Sequence, residues 1–553
     1  KGEFILYFHS QVYMCSECSV TRTGMDLKVA LNESFMALNL FLNNKFLEAL
    51  DILRPWRNDS MYHAMGYSSI LTMQAGMTFD PKDMETALTA LQEALVTCQR
   101  FRRKVTFVEV LSNMVYRRDP GQMTEGPLHC LFVCGHSLLL FLCSPFVILN
   151  LTFIPCRGDA SHGSYFFQML SLAPARVLRL LEFLGFGGNR EVGLSELHQG
   201  ASSSSLRSIL CTLTLLMFHT YISVILGTGE GNVAEAEALL EPYVENFPNG
   251  ALMLFYTARI AVLKGNFEMA QEKFLECIAV QQEWRQVHHL CYWELMWSYS
   301  YQQNWLEAYR YADLLCKESK WSQATYVFQK ASILSMMPEE EVSKTGEKAE
   351  DLFRQVDSLR QKFAGKSVPT EKFAARKASR YSKPEPTKLV IPALEMMYVW
   401  NGYSIVGKRP ELTESILSTI KAAEEQLTND PTPSEYLADD QCVVQMLKGL
   451  CLRHLSRLPE AESCFTHVIS NEKSIKYNDY LVPFAMYELG ILYNQQGETK
   501  KAITYIENAK MNYKDYSMES RLHFRIHAAL SSMGHPVEGT MQQQHVSLPA
   551  PSL

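Results

Sequence analysis

Glycine and proline are scarce in this chain, at 28 and 22 of 553 residues, together below the roughly 12% of average usage. So few breakers fit poorly with an all-β protein, which needs many turns, and fit long helices joined by short loops. Cysteine is scarce too: fourteen residues fall far short of the about 8–10% that marks a disulfide scaffold. The thiols are expected to be reduced and packed as small hydrophobes. An excess of positive charge is missing, since 52 lysines and arginines face 59 aspartates and glutamates, a net charge of −7. No chain-wide field exists to attract nucleic acid or an anionic membrane. Residues 1–20 lack a signal-peptide core, because Phe4–Phe8 is too short. Without one, the sequons at Asn32, Asn58 and Asn150 read as chance matches. What the chain holds in quantity is apolar residues, 47%, enough for a sizeable core and too many for bulk disorder.

Those residues recur with a period. A tetratricopeptide unit is two antiparallel helices in about 34 residues, with small residues where the helices cross, at unit positions 8, 20 and 27. From Pro483, Gly490 falls at position 8, Gly497 in the turn, and Ala502 and Ala509 at 20 and 27. From Cys442, Gly449 and Ala461 fill positions 8 and 20; from Ala251, Ala258, Gly265 and Ala270 mark position 8, the turn and position 20. A unit near His289 has Ala308 and Ala312, and one near Ala30 has Ala37 and Ala49. Weaker copies start near Ser68 and Met217. A pair cannot bury its apolar face alone, so neighbours bury it for one another and a solenoid with a concave groove results. The fold class expected is an all-α, tetratricopeptide-like α-solenoid of antiparallel helix pairs.

Two stretches depart from the rhythm. Leu131–Ile154 reads LFVCGHSLLLFLCSPFVILNLTFI and carries no charge. It is long enough to span a bilayer at about 131–151, with Arg117 and Arg118 as a cytoplasmic flank, although Pro145, His136 and Asn150 lie inside it. A second uncharged stretch, Ser208–Gly229, reads as a buried helix pair. From Pro338 an acidic cluster leads into a helical stretch, Glu347–Phe363, and then a basic run, Lys366–Lys388, with Lys372, Arg376, Lys377, Arg380, Lys383 and Lys388, which reads as a solvated linker, the alternative being a docking or regulatory patch. Ser379 sits there in a basophilic-kinase context. The organisation expected is an atypical segment 1–24, an N-terminal repeat half 25–337 with an apolar insert at about 119–167, a helix and basic linker 338–389, a C-terminal repeat half 390–530, and a disordered tail 531–553.

Several segments resemble the tetratricopeptide repeat protein 39 family, which is grouped with a fungal mitochondrial outer-membrane and inclusion-body family. They are Met25–Pro55, Leu172–Gly200, FHTYISVILGTG within 208–229, HHLCYWELMW at His288–Trp297, Pro369–Arg380, IPALEMMYVWN at Ile391–Asn401, and Asn512–Ile526. Residues 1–24, about 108–168 and the last 25 or so do not resemble it. The resemblance implies a repeat protein without established catalysis, associated with lipid and sterol homeostasis.

Motifs for chemistry are thin. Cys15 and Cys18 form a CxxC with no second pair to complete a zinc site. Cys130, Cys134, His136, Cys143, Cys156 and His162 lack regular ligand spacing. His288 and His289 point about 100° apart on a helix. The glycines of 184–190 and 227–232 match neither a dinucleotide fingerprint nor a phosphate loop. No catalytic residue, metal or cofactor is expected. The lysine/asparagine clamp that chaperone-binding repeats use at positions 2, 5, 6 and 9 is absent, because positions 5 and 9 are Met446, Leu450, Tyr487 and Ile491 in the C-terminal units, and Phe255 and Arg259 in the unit from Ala251. Such residues suggest self-packing or an apolar ligand. The aromatic residues Trp284, Tyr292, Trp293 and Trp297 are either core or a partner-binding hot spot. The reading is a non-catalytic scaffold or adaptor for protein partners in the cytoplasm. The alternative is a repeat protein on an organelle membrane, mitochondrial outer membrane or endoplasmic reticulum.

Overall fold

A computed structural model describes residues 26–78, 80–100, 190–203, 206, 208–363, 366–429 and 434–535. The chain is helical, and its pairs stand where the small residues predict. In order come α1 (Leu27–Leu42) and α2 (Phe46–Leu53), α3 (Met61–Thr78) and α4 (Pro81–Arg100), α5 (Arg190–Ala201), α6 (Ser208–Ile225) and α7 (Val233–Asn246). Then follow α8 (Ala251–Leu263) and α9 (Phe267–Val280), α10 (Arg285–Tyr301) and α11 (Trp305–Glu318), and α12 (Gln323–Leu334). The expectations for 1–24, for the insert at about 119–167 with its apolar run 131–151, for the motifs at Cys15–Cys18 and Cys130–His162 and for the glycines at 184–189 lie outside the described residues, as does most of the tail.

Close crossing explains the small positions. Ala37, Ala49, Ala258, Ala270, Ala308, Ala312, Ala461, Ala502 and Ala509 are buried. A Cβ added to Gly449 would stand 2.7 Å from the Phe465 ring, and one on Gly490 would stand 2.5 Å from Ile506 Cγ1.

The turn inside each pair shares one device. Asn44, Gly265, Gln303, Ser456 and Gly497, all at unit position 15, have positive φ between 55° and 82°. The next backbone N–H returns to the carbonyl five residues back, as Lys45 to Leu40, Asn266 to Ala261, Asn304 to Tyr299, Arg457 to Leu452 and Glu498 to Tyr493. This is the Schellman closure, which satisfies the orphan carbonyls of the first helix. Asn266 and Asn304 then cap the second helix by accepting from Met269 N and Glu307 N. Nothing lies within 4 Å of a Cβ built on Gly497, so Gly497→Ala tests backbone strain alone and should cost about 1–2 kcal/mol. Exposed Ser456 is the converse. Ser456→Gly relieves the same strain against an unfolded-state entropy of about 0.4–1 kcal/mol, and should raise the thermal midpoint slightly. Thermal melts of both variants check the pair, and equal midpoints would sink the argument.

The segment 338–389 differs from its expectation. Besides α13 (Glu339–Thr345), α14 (Ala349–Gln355) and a two-residue antiparallel pairing of β1 (Lys362–Phe363) with β2 (Lys366–Ser367), it holds α15 (Pro369–Ala378) inside the supposed linker. Phe353, Val356, Phe373, Ala374 and Tyr381 are buried, so the segment packs as part of the core. Beyond it lie α16 (Pro392–Val399), α17 (Tyr403–Val406), α18 (Pro410–Asn429), the pairs α19 (Leu437–His454) with α20 (Leu458–Ser470) and α21 (Leu481–Gln495) with α22 (Thr499–Met511), and α23 (Glu519–Ser532). One apolar cluster runs from Ala37 to Leu530, so the two halves share a core.

Two features break strict nearest-neighbour stacking. The first pair docks far along the chain: Phe46 lies 4.0 Å from Trp284, ring to ring. Asn44 Nδ2 donates to Asn249 O, while Ala251 N donates to Asn44 Oδ1, both at 2.7 Å. And α6 is one helix, not the expected pair, with a π-helical turn at Phe218–Ile222. Among the described residues α6 alone is long and apolar enough to cross a membrane, and half of it is buried. Of the described cysteines, Cys98, Cys211, Cys277, Cys291, Cys442, Cys451 and Cys464 are buried and Cys316 is half-buried.

Candidate functional site: the helix-A side of the solenoid

The first helix of each pair lines the inner side of such a solenoid, where partners are commonly held. Here that side is filled from within. Met446, Leu450, Tyr487, Phe255 and Arg259 are buried and Ile491 is half-buried. The cover over the C-terminal pairs is α16, whose Leu394, Met396 and Met397 are fully buried. Of the two readings of these positions, self-packing is the one observed.

Charged groups tie the cover down. Glu488 on α21 is fully buried. Its Oε1 accepts from Tyr398 on α16 and from Arg525 on α23, each at 2.9 Å, and its Oε2 accepts from Arg453 on α19 at 3.0 Å. Glu395, also on α16, accepts from Lys377 at 2.7 Å and from Tyr480 at 2.5 Å. Arg380 meets Asp440 through two bonds of 3.0 Å, the fork geometry that guanidinium offers a carboxylate. Asp439 accepts from three backbone N–H groups, at Lys476, Tyr477 and Asn478. Burial raises the hydroxyls of Tyr398 and Tyr480 well above their ordinary range, so both donate as neutral phenols. In the N-terminal half, Arg259 pairs with Glu294 at 2.9 Å and donates twice to Thr220 O, while Tyr221 donates to Glu294.

One sequence reading is corrected here. Lys377 and Arg380 are not solvated linker cations; they are 6% and 3% exposed, because Glu395 and Asp440 come to meet them. Ser379 is exposed and donates to Arg376 O. Of the two readings of the aromatic residues, core packing is the one observed for Trp284, Tyr292 and Trp297, since all three are buried. Trp284 closes on Phe41 and Phe46. Half-buried Trp293 stacks edge-on against Trp297 and against Trp400 of the C-terminal half. These aromatic residues join parts of the solenoid. The glutamates that organise the interior, Glu294, Glu395 and Glu488, were not singled out from sequence. Their signal was present: each is a lone acid within an apolar helical run, YWELMW, ALEMMY and MYELGI.

A histidine belongs to the same interior. Burial, helped by the Arg453 and Lys408 cations, pushes the His454 imidazole down to about 3. The folded state therefore refuses a proton that the unfolded chain accepts below about pH 6.5. Stability from this group is present above that pH and is lost as pH falls toward 3, at up to about 1.4 kcal/mol per unit. His63, His289 and His523 are lowered in the same sense by burial. Chemical denaturation at pH 7.5 and 5.5 should show the loss, and His454→Gln should flatten it. An unchanged pH slope in that variant would count against the assignment.

Between α1, α3 and α6 lies an apolar cavity of about 90 Å³, lined by Leu38, Phe41, Tyr62, Met73, Leu210 and Leu213 among others. Leu38, Tyr62, Met73, Leu210 and Leu213 there are half-buried.

The sequence profile described as Iml2/Tetratricopeptide repeat protein 39 matches residues 35–143 and 163–455. The match runs on through residue 143, so the stretch that departs from the family is narrower than 108–168. Tetratricopeptide repeat protein ttc-39B of Caenorhabditis elegans is 34% identical over 550 residues, covering 92% of this chain and 93% of that protein. The crystal structure of the yeast Tom70 aligns with 92% of this chain and 96% of its own at 13% identity, with a TM-score of 0.20, too low to map elements of one onto the other.

Proposed function

This chain belongs to the Iml2/Tetratricopeptide repeat protein 39 family, and from that membership we propose that it is a non-catalytic scaffold or adaptor that holds protein partners. The observation that carries the reading is the use of its buried charges. Glu488, Glu395 and Glu294 are each spent on cations and phenols of neighbouring elements, and Asp440 on the Arg380 guanidinium, which serves a rigid platform. Because α16 covers the helix-A side, the seat for an apolar partner segment is the α1–α3–α6 cavity, whose half-buried leucines and methionine suit a helix face. Affinity capture with the full chain, compared with Leu38→Arg and Leu213→Arg, tests this. Partners lost from both variants support it, and an identical partner set in wild type and variants overturns the assignment of the seat.

The process proposed is lipid or sterol homeostasis, on the family resemblance, and the compartment is the cytoplasm. Altered neutral-lipid content on depletion of the protein is the expected result. An organelle-surface form is the second reading, favoured by the uncharged run at 131–151. Alkaline carbonate extraction separates the two: release supports the soluble scaffold, and retention that Leu140→Arg with Leu142→Arg abolishes supports the span.

A further inference from the structure

The ends of α5, α6 and α7 bring together three side chains of a kind that binds transition metals. His198 Nε2 lies 2.8 Å from Glu235 Oε1, and His219 Nε2 lies 3.2 Å from Glu235 Oε2. The three ligand atoms all lie within 4.8 Å of one another. From this geometry we infer a zinc site made by His198, His219 and Glu235.

The backbone around it is shaped for the convergence. His219 sits in the π-helical turn Phe218–Ile222, a local widening that often accompanies a functional site. The loop that leads into α7 passes tightly over it: a Cβ on Gly231 would stand 2.3 Å from His219 O, so only glycine permits the approach. Asn232 caps α7 by accepting from Glu235 N at 3.2 Å. Its Nδ2 also donates to Glu235 Oε2 at 2.6 Å, which fixes the carboxylate as an outer-shell partner does in metal sites.

The donor set selects the ion. Two imidazole nitrogens and one carboxylate suit zinc better than magnesium or calcium, which take oxygen. Zinc–ligand bonds of about 2.0–2.2 Å in a tetrahedron separate ligand atoms by roughly 3.4 Å, so a small outward rotation of Glu235 admits the ion. Three protein ligands leave a fourth position. His198 and Glu235 keep 35% and 30% of their side-chain surface exposed, which gives entry and leaves that position open to solvent. The bound ion would fasten three helices that follow one another in the chain. The competing arrangement is a carboxylate that accepts one N–H from each imidazole, with no metal.

The test uses the purified full chain, stripped with chelator and titrated with zinc and with cobalt as a spectroscopic substitute. The inferred site predicts one zinc per chain by calorimetry, cobalt bands of a four-coordinate N/O site, and a rise in thermal midpoint with zinc. His198→Gln, which alters a partly exposed ligand and leaves the fold intact by circular dichroism, should abolish all three. Asn232→Ala should weaken zinc about 10-fold. No zinc binding by wild type, or equal binding by wild type and His198→Gln, would overturn the inference in favour of the metal-free cluster.

Discussion

Replacing Glu488 with glutamine should loosen the C-terminal half by about 3–5 kcal/mol. The side chain keeps its size but loses its charge, and Arg453 and Arg525, 9% and 5% exposed as side chains, lose their common counter-ion. Breaking a buried pair from one side costs more than never having built it, because the desolvation of the remaining charge is uncompensated. The loss should be local. Amide hydrogen exchange in α19, α21 and α23 should speed up by two orders of magnitude or more, while α8–α11 change little. Glu488→Gln with Arg525→Met should recover much of the protection. If the single variant exchanges like wild type, the network does not hold these helices.

The second large effect is steric. Gly490→Val places a Cβ 2.5 Å from Ile506 Cγ1 and 3.1 Å from Ala502 O. Side-chain rotation can relieve the first contact; the second is with backbone, so α21 and α22 must separate. Overpacking of this kind costs about 1–3 kcal/mol. Ile506→Ala should rescue only part of it. The pair in combination should then be less damaging than the sum of the two alone, a coupling that touching residues show and distant ones do not. Additive losses would mean that the helices do not cross here.

Both predictions bear on what the sequence could reveal. The crossing was legible because its determinants are local: Gly490, Ala502 and Ala509 recur at fixed offsets, and Gly265 and Gly497 mark their turns. Asn44, Gln303 and Ser456 take the same left-handed turn without glycine, so composition hid them. The electrostatic interior was not legible, for a different reason. Lys377 and Arg380 find their acids 18 and 60 residues away, and a charge run scored in a local window looks solvated whatever lies across the fold. Trp293 is sealed by Trp400 across the junction of the halves, which no periodicity in 284–297 announces. The two cysteine clusters, Cys15–Cys18 and Cys130–His162, stand out because their members are close in the chain, whereas His198, His219 and Glu235 come from three helices and share no motif at all.

The docking of the first helix pair on α8–α10 has a consequence for synthesis. Asn44 and Gln281 are 237 residues apart in the chain. A ribosome adding about 5–20 residues per second needs roughly 12–50 seconds to supply that partner. Throughout that interval Phe41 and Phe46 are without the indole that buries them. The amino-terminal pair must therefore be sheltered during translation, by provisional packing on α3 and α4 or by a nascent-chain chaperone, before the loop between them can close.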